Sequence, residues 1–301
     1  MKAASDPITR VAVISTGAVS IRPEHVGPTT RSQTNWLLTS RTWTDPLPIN
    51  VYVIEHANGL VLFDTGQDRA SVTDPGYFPR GPLRLAYSRL ARFQIGEGDT
   101  LTRQLAAAGF EIADVTTVIL SHLHQDHIGG LGELGHADIL VAREEWDSLS
   151  RPLPAMRGLL ARHITLPGLR WKPTDVRPLA DDSLAPFTTG VDLFGDGSMV
   201  LLPTPGHTPG SLSLLVRRPG FVPLLLVGDL TYDNDHLERG DVPGSGNRAG
   251  MRRSTHLVNE LRSRMPGLVV LAAHDPGAAA RLRASLDAPG RGARRAESGT
   301  A

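Results

Sequence analysis

The apolar positions of this chain come in short runs, each followed by a change of spacing. VYVIEHANGLVLFDTG, residues 51–66, holds two β-rich runs around Asn58-Gly59, a pattern that predicts a hairpin whose second strand ends at Asp64. In DTLTRQLAAAGF, residues 99–110, the spacing becomes helical: Leu101 and Leu105 share a face, Asp99 is the expected N-cap and Gly109 the stop. DVTTVIL follows as a buried strand that delivers Ser121 at its C-terminal end.

The second half repeats this style. ADILVA (137–142), SMVLL (198–202), SLSLLV (211–216), PLLLVGD (223–229) and LVVLAA read as strands, and REEWDSL and THLVNELRSR as helices, so the whole pattern predicts an α/β fold. Histidines or acids stand just past four of the strands: a cluster after 115–120, His207 after 198–202, Asp229 after 223–228 and His274 after 268–273. A rigid strand fixes the position of the loop at its end, and such loops are where α/β scaffolds carry chemistry. Residues distant in sequence are therefore expected to meet.

Other stretches fit this alternation less well. Residues 21–47 read as loop yet carry Trp36 and Trp43, and 68–98 contains one short helical pattern, PLRLAYSRLARF. Either segment can wall a pocket for the apolar part of a substrate or act as an ordinary packing element, and packing is the expectation. PGSGNRAG (243–250) lacks the lysine and the serine or threonine of a phosphate-binding loop and reads as a flexible connection.

Composition narrows the class. A chain of 301 residues, 40% hydrophobic and 21% charged, can bury one large core, and a single domain over 1–286 is expected, with the Gly-, Ala-, Arg- and Ser-rich 287–301 disordered. Basic and acidic residues balance at 31 each, which gives no general affinity for nucleic acid or an anionic membrane and suits a small neutral substrate. The absence of cysteine excludes disulfides, thiolate nucleophiles and sulfur-ligated metals, and leaves nitrogen and oxygen donors. The N-terminus lacks the apolar run of a secretory signal and no stretch reaches 18 uninterrupted apolar residues, so a cytoplasmic protein without a membrane span, monomer or homodimer, is expected.

The candidate chemistry lies in SHLHQDHIGG, residues 121–130. Three of the chain's 11 histidines and an aspartate fall within six consecutive positions there. Neighbouring imidazoles that protonated would repel; a cation among them keeps the rings neutral and removes that cost.

His122-x-His124-x-Asp126-His127, followed in order by His207, Asp229 and His274, resembles the metallo-β-lactamase superfamily over about residues 50–275. The resemblance implies an αββα sandwich, two β-sheets flanked by helices, and a dinuclear centre. His122, His124 and His207 would hold one metal, Asp126, His127 and His274 the other, and Asp229 would bridge both. Two divalent ions are implied, zinc foremost for such donors, with iron, manganese and cobalt as alternatives. The implied reaction is hydrolysis, because such a pair makes hydroxide available near pH 7 and polarises the carbonyl or phosphoryl group under attack. Asp64 matches an acid that the family keeps beside the metals, orienting ligands rather than binding. His25, His56, His136, His163, His236 and His256 fall outside the ligand positions and are expected to be surface or packing residues.

Within the family, several branches are set aside. Flavodiiron-type members usually carry an acid where this chain has His124; one β-lactamase subclass needs cysteine; the histidine-only subclass lacks an acid at the position of Asp229. Glyoxalase-II-like thioesterases carry a helical C-terminal region, and only 27 residues follow His274 here. Nuclease branches bring basic surfaces or an added domain. The remaining branch opens lactone rings. The N-acyl homoserine lactonases share the 22-residue step from His207 to Asp229 and a tyrosine three residues later, here Tyr232, which in the resemblance stabilises charge on the substrate carbonyl oxygen while Asp126 or Asp229 relays the proton. Two departures are Gln125, where several lactonases have an apolar or aromatic residue, and added material around 150–185. They leave open another lactone, an ester, a phosphotriester or a secondary-metabolite substrate, and, from a different class, a metal-dependent binding protein without turnover.

Overall fold

The computed structural model describes residues 6–287. Among them, one sheet is built from β1 (Ile8–Ile21), β2 (Leu47–His56), β3 (Gly59–Phe63), β4 (Ala91–Gln94), β5 (Val115–Ile119), β6 (Asp138–Ala142) and β7 (Arg170–Thr174), in the spatial order β4-β1-β2-β3-β5-β6-β7. The other contains β8 (Arg177–Pro178), β9 (Thr189–Asp192), β10 (Met199–Pro203), β11 (Leu212–Val216), β12 (Leu224–Leu226) and β13 (Val269–Leu271), in the order β13-β12-β11-β10-β9-β8.

Period-two alternation explains how these strands stack. Leu60 and Leu62 of β3 face outward onto Leu101 and Leu105 of the helix Leu101–Ala107, whereas Val61 and Phe63 turn inward. There they share a core with Leu201, Leu214 and Leu226 of the opposite sheet. Val200 and Leu202 face outward again, onto Met251, Val258 and Leu261 of the helix Arg248–Arg264. Three apolar layers thus separate helix, sheet, sheet and helix, the αββα arrangement. Strands buried on both faces read as continuous apolar runs, which is why they were visible in the sequence. The layers are tight: Leu105 is fully buried, and Leu105→Ala would cost about 2–5 kcal/mol.

Parallel pairing brings strand ends to one edge. Phe63 lies beside Ile119 and Ile119 beside Leu140, while Leu226 lies beside Leu271. The chain leaves these ends as Asp64, as the 121–127 loop, and on the second sheet as Asp229 and His274.

Several local expectations are corrected. The helix Leu101–Ala107 has Thr100 at its N-cap; the Asp99 carboxylate instead accepts from the Gly96 N–H at 2.7 Å. Residues 243–250 are no loose connection, because Asn247 caps the helix Arg248–Arg264 by accepting from the N–H groups of Ala249 and Gly250. PLRLAYSRLARF is the helix Pro82–Leu90 running into β4. The N-terminal β1, which no expectation covered, pairs along β2 with a register shift between Ser15 and Ala18. The tail expected over 287–301 lies, from 288 on, outside the described residues. No helix of the described residues is long and apolar enough to cross a membrane.

Candidate metal centre

Asp64 follows β3 with φ 65°, a left-handed conformation that a non-glycine residue adopts at a cost. Its carboxylate accounts for the position. It accepts from the Ser121 N–H at 2.7 Å, the Ser121 hydroxyl at 2.8 Å and His127 Nδ1 at 2.8 Å. The acid at the end of β3 thus aims a histidine of the next strand-end loop.

All seven residues singled out in the sequence converge here. Donor atoms of His122, His124 and His207 lie within 4.8 Å of one another, as do those of Asp126, His127 and His274, and those of His122, His127 and Asp229. Asp229 joins the groups: one carboxylate oxygen lies 3.3 Å from His127 Nε2 and 3.4 Å from His274 Nε2, the other 3.4 Å from His207 Nε2. Asp126 reaches His274 Nε2 at 3.4 Å.

The imidazoles are aimed from behind. His122 Nδ1 lies 3.0 Å from the Ser121 hydroxyl, His124 Nε2 3.0 Å from the Arg157 carbonyl, and His274 Nδ1 2.9 Å from the Pro48 carbonyl, while Asp64 holds His127. Tying one ring nitrogen to an acceptor leaves the other nitrogen free to bind, the arrangement by which proteins orient histidine ligands.

The donor set fits metal ions on the chain's own terms. His122 Nε2, His127 Nε2 and Asp229 Oδ1, which face the centre, are buried without a hydrogen-bond partner. Such groups are costly unless something binds them. Burial and the neighbouring imidazoles hold His122 well below the usual histidine range, and burial takes His207 down to about 3 against the pull of Asp229. His127 moves the other way: burial opposes its proton, but the charges of Asp64 and Asp229 raise it well above its ordinary value. Burial would raise Asp229, yet His274 and His127 hold it well below the usual carboxylate range. A cation bound among these imidazoles and carboxylates would favour the neutral rings and the ionised acids.

Tyr232 stands beside this centre, buried, its hydroxyl donating to Asp229 Oδ2 at 2.8 Å. Above it opens a pocket of about 680 Å³. Its wall includes Val19, Ile21, Leu37, Leu83, Phe93 and Met156, so the stretches 21–47 and 68–98, for which packing was expected, line the site. Gln125 also reaches the pocket, buried and with its Oε1 unpartnered.

Sequence reasoning missed several supports. His25, set aside as a packing residue, is buried against Tyr232 with Nε2 3.1 Å from its hydroxyl, and burial lowers it to about 4. Glu145, fully buried, accepts from the Leu123 N–H and the Gly210 N–H, both at 3.1 Å, and so pins the 121–127 loop to the His207 loop. Gly210 is required there, since a β-carbon would lie 2.4 Å from the Glu145 nitrogen. The material near 150–185 contributes as well: Arg157 supplies the carbonyl that holds His124, and Gly158, at φ 83°, leaves the space that the His124 ring occupies.

Comparison with known proteins agrees with this geometry. A family model of the metallo-beta-lactamase superfamily matches residues 44–288. Over 240 residues, 79% of this chain and 85% of the relative, the sequence is 32% identical to the N-acyl homoserine lactonase AttM of Rhizobium radiobacter. A variant of Bacillus thuringiensis AiiA, solved with N-decanoyl-L-homoserine at its active site, superposes with a TM-score of 0.70 at 23% identity, covering 89% of this chain and 94% of that one. AidC, a dizinc quorum-quenching lactonase, superposes at 0.60 with 17% identity, covering 91% and 92%. At those identities the two structures speak for the fold.

Proposed function

This chain belongs to the metallo-β-lactamase superfamily, and we propose that it hydrolyses the lactone ring of N-acyl homoserine lactones. The observation that carries this reading is the convergence of five histidines and two aspartates at the base of an apolar-walled pocket, with the Tyr232 phenol directly beside them. Curated relatives at this level of similarity are N-acyl homoserine lactonases, which supports the same substrate class.

In this reading His122, His124 and His207 hold one divalent ion, Asp126, His127 and His274 a second, and Asp229 is shared; zinc suits such donors best. When bound, the ions supply a hydroxide nucleophile near neutral pH and draw charge from the carbonyl under attack. The chain's own residues do the rest. Burial and the nearby Asp229 charge push the Tyr232 phenol well above its ordinary pKa, so it keeps its proton and can donate to the carbonyl oxygen as negative charge grows. Asp126, its side chain 18% exposed against 4% for Asp229, is the carboxylate better placed to pass a proton to the departing alkoxide. The apolar wall takes the acyl chain and keeps water from the reacting carbonyl.

The test is a pH-indicator assay of metal-analysed protein with N-hexanoyl and N-decanoyl homoserine lactone, run beside an aryl ester and a phosphotriester. Asp126→Asn serves as the blank. Acid release with kcat/KM above about 10⁴ M⁻¹s⁻¹ on the lactones is expected. Turnover of the ester or phosphotriester with none of either lactone would overturn the reading.

A further inference from the structure

We infer that His25 is a positioning residue for Tyr232, acting as the neutral tautomer with its proton on Nε2. The catalytic consequence rests on the proposed role of Tyr232; the tautomer does not.

The single proton of the phenol fixes the direction of both its contacts. Tyr232 Oη lies 2.8 Å from Asp229 Oδ2 and 3.1 Å from His25 Nε2. A phenol has one proton to give and lone pairs to receive another. An ionised carboxylate only accepts, so the contact with Asp229 consumes the phenolic proton. The contact with His25 must then run the other way, from Nε2–H into the phenol oxygen. His25 Nδ1 is buried with no hydrogen-bond partner of either kind; a proton there would be buried unpaired, which is costly, so Nδ1 is bare and the ring neutral.

Packing gives the ring little freedom to choose otherwise. His25 is 9% exposed and wedged between Trp36, with centroids 5.8 Å apart, and the edge of Tyr232, 5.5 Å away, with His207 at 6.3 Å. It sits in the turn Pro23–Val26, just past β1. A residue of the pocket wall thus reaches into the centre.

Two effects follow. The phenol oxygen is held from one side while its proton points to the other, so the proton can swing from Asp229 to a carbonyl oxygen without the ring moving. Donation into the phenol oxygen also polarises its O–H and makes it a better donor, as in any hydrogen-bonded chain.

The experiment uses the metal-loaded protein. In ¹⁵N-detected NMR of the wild type at neutral pH, His25 should show a protonated Nε2 and an unprotonated Nδ1; a proton on Nδ1 overturns the inference. Kinetically, His25→Leu should lower kcat about tenfold, the scale of one hydrogen bond, with KM and metal content retained. His25→Gln, whose amide can donate, should recover most of the loss. In a Tyr232→Phe background, which lacks the accepting oxygen, His25→Leu should change kcat little. An equal loss in both backgrounds would make His25 merely structural and sink the positioning role. Full kcat for Tyr232→Phe alone would remove that role together with the reading it rests on, and the NMR assignment would still separate the two failures.

Discussion

The base of the pocket and its wall are built from different kinds of structure. The base is supplied by Asp64, His122, His124, Asp126, His127, Asp229 and His274, which leave the ends of β3, β5, β12 and β13, and by His207 beyond β10, strands packed into fully buried apolar layers. The wall comes from the end of β1, two short helices, the edge strand β4 and the turn at Pro154–Arg157, and many of its side chains are half-buried or exposed, Met156 at 68%. Elements with many buried contacts open least, and those with few open most. On the proposed function, the chemistry is thus fixed to the most tightly packed part of the fold, and shape selection is left to the parts with fewest buried contacts.

Substitutions in the base should be the most damaging and should act through metals and charge. Asp126→Asn removes a charged oxygen donor, and the loss of several kcal/mol of charge stabilisation corresponds to a fall of about 10³-fold in kcat/KM. Elemental analysis should show less than the wild-type metal content. Tyr232→Phe should cost about 10²-fold in kcat, typical of a lost oxyanion donor, with both metals retained; an unchanged kcat would remove Tyr232 from the reaction. Asp64→Asn leaves His127 without its charged partner and should weaken metal affinity by about 10–100-fold, measured by competition with a chromophoric chelator. A retained affinity would mean that the carboxylate serves only its own turn and Ser121.

That order of damage matches what could be read from the chain. Side chains able to ligate a metal are restricted in type and stand here just past strands, so His122, His124, Asp126, His127, His207, Asp229 and His274 were visible without any structure, as were β3, β5 and β12, whose apolar runs are buried on both faces. The same strand-end signal would have found Glu145, three residues past β6, had it been applied to acids inside a helical pattern. β1 was hidden because its register shift between Ser15 and Ala18 breaks the period of two. Asp99 is the better capping type of two neighbours, but its carboxylate is taken by the Gly96 N–H, and Thr100 stands at the N-cap without a side-chain hydrogen bond. His25 carried no spacing signal at all, since its role depends on a contact 207 positions away in sequence.

The smallest effect is expected in the wall, where it should separate substrates rather than abolish turnover. Phe93, on β4, presents a half-buried ring to the pocket and adds no polar group to the eight residues of the base. Phe93→Ala should leave metal content and the rate with N-hexanoyl homoserine lactone near wild type. A fully buried methylene is worth ~0.8 kcal/mol, and an exposed truncation forfeits only part of that for the outer methylenes of a decanoyl chain. The expected result is a fall of about tenfold in kcat/KM for the N-decanoyl substrate relative to N-hexanoyl. An equal fall for both would mean that Phe93 shapes the base through β4, and the separation between a chemical base and a selective wall would fail at this position.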